Sequence, residues 1–196
     1  MYGQTEATAR MAYLPSEKSL EKYGSMGIAI PHGKLWLKDV DGNQIKEADI
    51  VGELVYEGAN VTLGYAECLA DLAKEDERHG VLKTGDMAKM DADGYFYIVG
   101  RKKRFLKIYG NRVNLDEVER MIKQEFEQIE CACAGVDDHL YVFTTTDQEE
   151  IQTQIRQLLA GKTGLNPKAY IVKYIEEIPK NDAGKTLYRK LEKYYD

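Results

Sequence analysis

The stretch GRKKRFLKIYGNRVNLDEVE (residues 100–119) separates two differently built halves of this 196-residue chain. It starts with a basic run that apolar residues interrupt, so part of the run is predicted to pack rather than to lie in solvent. Asn114 then has the character of a helix N-cap, and Glu117 completes a capping box. The helix that follows carries one apolar stripe, formed by Leu115, Val118, Ile122 and Phe126.

The net charge changes at the same place. Residues 1–100 contain 10 basic and 17 acidic groups, whereas residues 101–196 contain 17 and 16. We therefore expect two units that meet near position 100. The basic run by itself would suit a nucleic-acid surface. The overall charge of −6 and the interleaved apolar residues argue against that function, because a duplex requires a dense basic face.

The two halves also differ in their predicted secondary structure. Before position 100, strands are predicted at 34–40, 51–58 and 95–100, with a short helix at 67–77, and Gly and Asp turns between them favour a barrel or a sandwich. After position 100, helices and strands alternate in the order αββαβα. The predicted strands after the first helix are 130–136, 140–146 and 169–175, and the two later helices begin after Asp147 and cover 186–195.

The cysteines and the hydropathy of the chain indicate its cellular compartment. Cys68, Cys131 and Cys133 cannot all pair within one chain, and the last two alternate with Ala, which is typical of one face of a strand. We interpret them as reduced thiols of a cytoplasmic protein. No apolar run approaches the roughly 18 residues of a membrane helix, so we expect no membrane span.

Two segments of the first half combine polar side chains with glycine. In YGQTE (2–6), a hydroxyl donor lies beside a carboxylate that can bind a cation, although a polar loop or helix cap explains the same residues. In KTGD (83–86), Gly85 permits a sharp turn and Asp86 can accept two hydrogen bonds from a sugar diol. A simple turn explains that segment equally well.

Two segments of the second half concentrate positive charge. The basic run of residues 101–112 lies where the two units meet, so it can act as a linker that swings charge towards an anion. In PKNDAGKTLYRKL (179–191), Lys185 follows a Gly-flanked loop. It is either an exposed lysine at a helix start or a point charge for a phosphate or carboxylate.

In this order and spacing, the four segments and GELVYEGANVTLGY (52–65) resemble the C-terminal part of the adenylate-forming enzymes. That superfamily includes acyl- and aryl-CoA synthetases, peptide-synthetase adenylation domains and luciferases. The resemblance implies an α+β chain. Residues 1–100 would be a β-rich, barrel-like remnant of the large N-terminal domain, and residues 101–196 would be a small α+β lid domain with its hinge near Lys103.

The resemblance also implies roles for residues of the first half. Tyr2 would lie against adenine, and Gly3 would belong to the same AMP-binding turn. Thr5 would bind the α-phosphate and Glu6 would ligate Mg²⁺. Asp86 would accept the ribose hydroxyls, with Arg101 beside it.

In the second half, Lys185 would bridge the α-phosphate and the attacking carboxylate. Lys107 and Gly110 would face the active site after the lid has rotated about Lys103, when thioester formation occurs. The implied substrates and cofactors are a small carboxylic acid, ATP, Mg²⁺ and a thiol, either coenzyme A or the pantetheine of a carrier protein. The implied function is that of an AMP-forming acid:thiol ligase.

One departure from the family pattern is an absence. The phosphate-binding loop that precedes YGQTE in these enzymes does not occur in the chain. We therefore expect a fragment that is inactive alone, and its truncated surface is a candidate oligomer contact. The alternative is a non-catalytic module that docks a carrier protein or the missing N-terminal half in trans.

Overall fold

The computed structural model describes residues 1–195. Asp196, the last residue of the predicted lid domain, lies outside them. The chain divides into two compact units, of which the first is Met1–Lys103 and the second begins at Arg104.

The first unit is built from seven strands. They are β1 (Ala12–Tyr13), β2 (Ile28–Ala29), β3 (Lys34–Lys38), β4 (Gln44–Ile45), β5 (Gly52–Glu57), β6 (Val81–Met90) and β7 (Phe96–Arg101). Five of them form an antiparallel sheet in the order β4-β3-β5-β6-β7, and β1 pairs with β2 separately. The predicted barrel is therefore wrong, because the sheet is open across the described residues. Its edge strand β4 has two residues, too few to join a staggered closure.

The strand predicted at 34–40 is confirmed as β3, in which burial alternates because Leu35 and Leu37 point into the core. β5 differs, because Gly52–Tyr56 is buried without interruption and the strand is covered on both faces. The predicted helix at 67–77 is limited to a single 3₁₀ segment, Leu69–Ala73. No residue of that segment is buried, so no apolar face is packed to extend it.

The KTGD segment lies within β6 rather than on a turn between strands. The pairing register between β5 and β6 shifts at this point, and Gly85 has φ +71°. This is the behaviour of a β-bulge, which uses glycine in the left-handed region to redirect the neighbouring side chain. The predicted sharp backbone conformation at Gly85 is confirmed, whereas the strand around it was not predicted.

Within residues 104–195, the second unit contains five strands and two α-helices. They are β8 (Phe105–Ile108), β9 (Asn111–Asn114), α1 (Leu115–Glu125), β10 (Cys131–Val136), β11 (His139–Thr144), α2 (Glu149–Thr163) and β12 (Tyr170–Tyr174). β8 and β9 form a hairpin, and the other three strands form a sheet in the order β10-β11-β12. β11 and β12 are parallel, so α2 serves as the crossover between them. The predicted elements of this unit are confirmed apart from the last helix, which is a 3₁₀ segment, Tyr188–Tyr194.

The boundaries of α1 follow from its sequence. The Asn114 side chain accepts a hydrogen bond from the Asp116 backbone N–H, which confirms the predicted N-cap. The predicted stripe is also confirmed, since Leu115, Val118 and Ile122 are buried and Phe126 packs against the same core.

The sheet of the second unit has a core on each face. Cys131 and Cys133 lie in one cluster with α1 and α2, whereas Ala132 and Ala134 lie in the other. The prediction that the two thiols share one strand face is confirmed. Burial raises the pKa of Cys131 to about 11 and raises that of Cys133 well above its usual value, so both remain protonated at neutral pH. Within residues 1–195, no helix has the length and apolar character to cross a membrane.

Candidate functional site

Tyr2, Gln4 and Asp86 meet at the bulge of β6. The Tyr2 hydroxyl donates to the Asp86 carboxylate at 2.5 Å, and the Gln4 amide donates to the same carboxylate at 2.9 Å and to the Thr84 carbonyl at 3.0 Å. Burial, together with the bond to Asp86, raises the pKa of Tyr2 well above its usual value. The hydroxyl therefore stays protonated and remains a donor.

Arg101 completes this cluster from the next strand. The β6–β7 register pairs it directly with Asp86, and its Nε lies 2.8 Å from the carboxylate. The two side chains differ in exposure, because 60% of the Arg101 side chain is accessible to solvent against 5% for Asp86. A buried carboxylate is thus held by three donors, while the cation beside it reaches solvent.

Glu6 and Thr5 lie on the 3₁₀ turn that follows Tyr2. The Tyr65 hydroxyl donates to the Glu6 carboxylate at 2.5 Å, and this bond is the main reason why the pKa of Glu6 lies below its usual value. The Thr5 side chain is exposed on the same turn. Glu6 lines a cleft of about 460 Å³ together with Gln4, Thr84 and Tyr65.

The YGQTE turn is held by Asn60 and Tyr56, for which the sequence predicts no role. The Asn60 amide donates to the carbonyls of Ala7, Thr8 and Arg10 at 3.2–3.3 Å, and its oxygen accepts from the Tyr56 hydroxyl at 2.8 Å. No local pattern distinguishes such an asparagine from one in an ordinary turn. Its role becomes visible only when the strand that precedes it is placed beside the turn.

Gly3 contributes through its missing side chain. A Cβ at this position would lie 2.8 Å from the Ala9 carbonyl oxygen and 3.3 Å from the Arg10 Cα. The chain therefore doubles back onto Gly3 in a way that another residue would obstruct.

Lys185 lies on a tight turn in the second unit. The Asn181 side chain accepts from the Lys185 backbone N–H at 2.9 Å, and the Asn181 N–H donates to the Lys185 carbonyl at 2.9 Å. Gly184 adopts φ +74° within this turn. The side chain of Lys185 is exposed, so the turn fixes its backbone and leaves its ammonium in solvent.

Lys107 and Gly110 lie on the β8–β9 hairpin of the second unit. Lys107 pairs with Arg112, and Gly110 has φ +84° at the exposed tip. The turn between β10 and β11 supports this hairpin through two residues that sequence reasoning missed. The carboxylates of Asp137 and Asp138 accept from the backbone N–H groups of Lys107 (2.8 Å) and Tyr109 (2.6 Å).

Lys103 is the last residue of the first unit and lies in the 3₁₀ segment Lys102–Arg104. Its side chain is exposed. Its two neighbours along the chain are anchored in different units. Lys102 forms an ion pair with Glu53 of the first unit at 2.9 Å, and Arg104 is buried in the second unit.

Two comparisons identify the family. Residues 1–66 match the family model described as AMP-binding enzyme. They include the YGQTE turn and the Asn60 clamp, which is the Asn60 side chain bonded to the carbonyls of that turn. Over 97% of its length, the chain is 34% identical to a long-chain-fatty-acid–CoA ligase of Yersinia pestis. The chain belongs to the AMP-binding, adenylate-forming superfamily. A 4-coumarate–CoA ligase-like protein of Arabidopsis thaliana is 28% identical over 98% of the chain.

The fold agrees with membership of this superfamily. The O-succinylbenzoate coenzyme A synthetase of Bacillus subtilis, solved in complex with ATP and magnesium ion, superposes with a TM-score of 0.70 and 22% identity. That alignment covers 97% of this chain and 40% of the synthetase. The chain spans about a third of the length of the two curated relatives, 34% and 35% respectively.

Proposed function

We propose that this chain supplies the nucleotide-binding cluster and the mobile lid of an ATP-dependent carboxylic acid:thiol ligase. A carboxylate oxygen attacks the α-phosphorus of ATP, which gives an acyl-adenylate and releases pyrophosphate. A thiolate sulfur then attacks the acyl carbon and releases AMP. The observation that carries the proposal is the assembled cluster of Tyr2, Asp86 and Arg101 within a chain of this superfamily.

Asp86 would bind the ribose hydroxyls, with the Tyr2 ring against adenine. A carboxylate offers about four acceptor positions, and three donors already approach Asp86. Two ribose hydroxyls would therefore displace one of these donors. Tyr2 is the candidate, because the release of its hydroxyl would turn its ring while Arg101 stays on the carboxylate. Arg101 lies close enough to add positive charge beside the nucleotide.

Thr5 and Glu6 would face the phosphates. Mg²⁺ prefers oxygen ligands and is usually held by one or two carboxylates together with substrate phosphates. Glu6 fits that donor set, because its lowered pKa keeps it ionised, and the exposed Thr5 hydroxyl can donate to the α-phosphate. When bound, Mg²⁺ would supply positive charge that offsets the charge of the phosphates.

Lys185 would act in the first half-reaction only. Negative charge builds on the α-phosphoryl group as the carboxylate attacks, and a positioned ammonium stabilises it. Pyrophosphate must then leave and a thiol must enter, so the lysine has to withdraw. Rotation about Lys103 would remove it and bring in Lys107 and Gly110, where the absence of a side chain on Gly110 leaves room for pantetheine. The unit boundary directly after Lys103 supports this hinge.

The alignments with ligase relatives cover nearly the whole of this chain. This similarity favours a ligase over a docking module. To test the proposal, the chain is fused behind the upstream two-thirds of the Yersinia pestis relative. We expect fatty-acid-dependent ATP–pyrophosphate exchange from the fusion and none from the chain alone. Asp86→Asn should weaken the exchange, whereas Asp41→Asn, in an exposed turn, should not. A folded fusion without exchange, or exchange by the chain alone, would contradict the proposal.

A further inference from the structure

A buried ion-pair network begins at Arg104, one residue after the proposed hinge. Arg104 donates through Nε to Asp116 at 2.7 Å, through Nη2 to Glu119 at 2.5 Å, and through Nη1 to the Cys133 carbonyl at 2.6 Å. Glu119 also accepts from the Cys133 backbone N–H at 2.7 Å. The network therefore connects the start of the second unit to α1 and to β10.

Tyr188 joins this network from the other end of the unit. The centre of its ring lies 3.8 Å from the Arg104 guanidinium carbon, and its hydroxyl donates to the second Glu119 oxygen at 3.2 Å. Burial and the nearby Glu119 raise the pKa of Tyr188 to about 12, so the hydroxyl remains a donor at neutral pH. Glu119 thus accepts hydrogen bonds from both ends of the unit.

Tyr188 follows Lys185 by three residues, and the chain between them is fixed. The Leu187 N–H donates to the Pro179 carbonyl at 2.7 Å, and the Lys185 N–H donates to Asn181. Hydrogen bonds and a ring contact therefore connect Arg104 and Glu119 to Tyr188, and the backbone leads from Tyr188 through the bonded Leu187 to the lysine turn. Arg104 and Glu119 are the charged side chains buried in the described part of this unit.

We infer that Glu119 and Tyr188 are positioning residues that hold the Lys185 turn at a fixed place relative to the hinge. The inference rests on the proposed function of Lys185. Directional bonds suit this purpose better than apolar packing, because a buried charged pair tolerates few alternative arrangements. Rotation about Lys103 would then move the lysine together with the body of the lid, rather than leave it on a loosely attached loop.

The structural part of the inference is tested on the 196-residue chain by amide hydrogen exchange. Tyr188→Leu removes the ring and the hydroxyl, and Tyr188→Phe removes the hydroxyl alone. We expect faster exchange at Lys185 and Leu187, by about tenfold in the Leu variant, with the β10–β11 amides unchanged. Tyr174→Leu, at an exposed tyrosine outside the network, is the matched control. No increase in either variant, or a uniform increase across the unit in both, would overturn the inference.

The functional part uses the fusion described above. If Tyr188 positions Lys185, Tyr188→Phe lowers carboxylate-dependent exchange and leaves thioester formation from supplied acyl-adenylate unchanged. Equal losses in both half-reactions would show a general structural role and would overturn the inference. Failure of the unmodified fusion to catalyse ATP–pyrophosphate exchange would instead contradict the proposed function. Amide hydrogen exchange would still show whether Tyr188 holds the Lys185 turn.

Discussion

The proposed nucleotide-binding cluster of the first unit and the lysine turn of the second are held in opposite ways. Around Asp86, the functional side chains bind one another, and the carboxylate itself is almost fully buried. At Lys185, the bonds fix the backbone of the turn, and the functional side chain is exposed. The first arrangement suits a carboxylate that keeps its place while a ligand replaces one of its donors. The second suits a group that must enter and leave, provided that the body carrying it is rigid.

This comparison predicts a graded series of stability changes, the largest of which is at Arg104. Replacing Arg104 with Leu leaves Glu119 buried without its cation, which costs about 3–5 kcal/mol. The loss is measured as the change in the free energy of unfolding of the second unit, monitored through hydrogen exchange of the Val142 backbone amide. Arg120→Leu is the control, because Arg120 is exposed and its contact with Glu117 is 3.8 Å long. Similar losses in the two variants would show that the network does not stabilise the second unit.

At Asp86 the expected loss is smaller but still large. Asp86→Ala removes the acceptor of the Tyr2 hydroxyl and the Gln4 amide, and an unsatisfied buried donor costs about 1–3 kcal/mol. Trp36 is the single tryptophan and lies in the first unit, so its fluorescence during urea unfolding reports on that unit. Asp41→Ala should leave the transition unchanged. If both variants unfold alike, the cluster is not preassembled.

The Asn60 clamp is expected to contribute less. Asn60→Ala removes the donor shared by three backbone carbonyls, and a loss of about 1–2 kcal/mol in the first unit is expected. The same fluorescence measurement applies, with Asn43→Ala in an exposed turn as the control. An Asn60 variant as stable as the control would mean that the YGQTE turn keeps its shape without the clamp.

Lys185→Ala is expected to have the smallest effect on stability. Its side chain is exposed and the turn is held through the backbone, so the free energy of unfolding should change by less than about 0.5 kcal/mol. Exchange of the Val142 amide again reports on the second unit. A destabilisation comparable with that of Arg104→Leu would contradict the contrast between the two regions.

Much of this organisation was predictable because it depends on local signals. The N-cap at Asn114, the stripe on α1 and the alternation of Cys with Ala each follow from a few neighbouring residues, and the structure confirms them. The closure of the first sheet was predicted wrongly. Strand composition does not determine whether two edge strands meet, and that depends on strand length and stagger.

The supporting residues could not be predicted for a related reason. Asn60 acts on residues about 50 positions earlier in the chain, and Glu119 contacts Tyr188 across 69 positions. Contacts at such separations leave no pattern in one sequence. The motif residues were proposed from the sequence because a family resemblance carries them. Asp137, Asp138 and Tyr188, which hold the backbone that presents those motifs, required the structure.

We propose that the first unit holds the nucleotide while the exposed lysine of the second serves one half-reaction. The most direct test compares Lys185→Ala with the unmodified fusion in both half-reactions. We predict a fall in carboxylate-dependent ATP–pyrophosphate exchange of about 100-fold or more, as expected when one positioned charge is removed from a transition state. Thioester formation from supplied acyl-adenylate should be unchanged. Equal losses in the two half-reactions, or exchange that persists without Lys185, would rule out this role for Lys185.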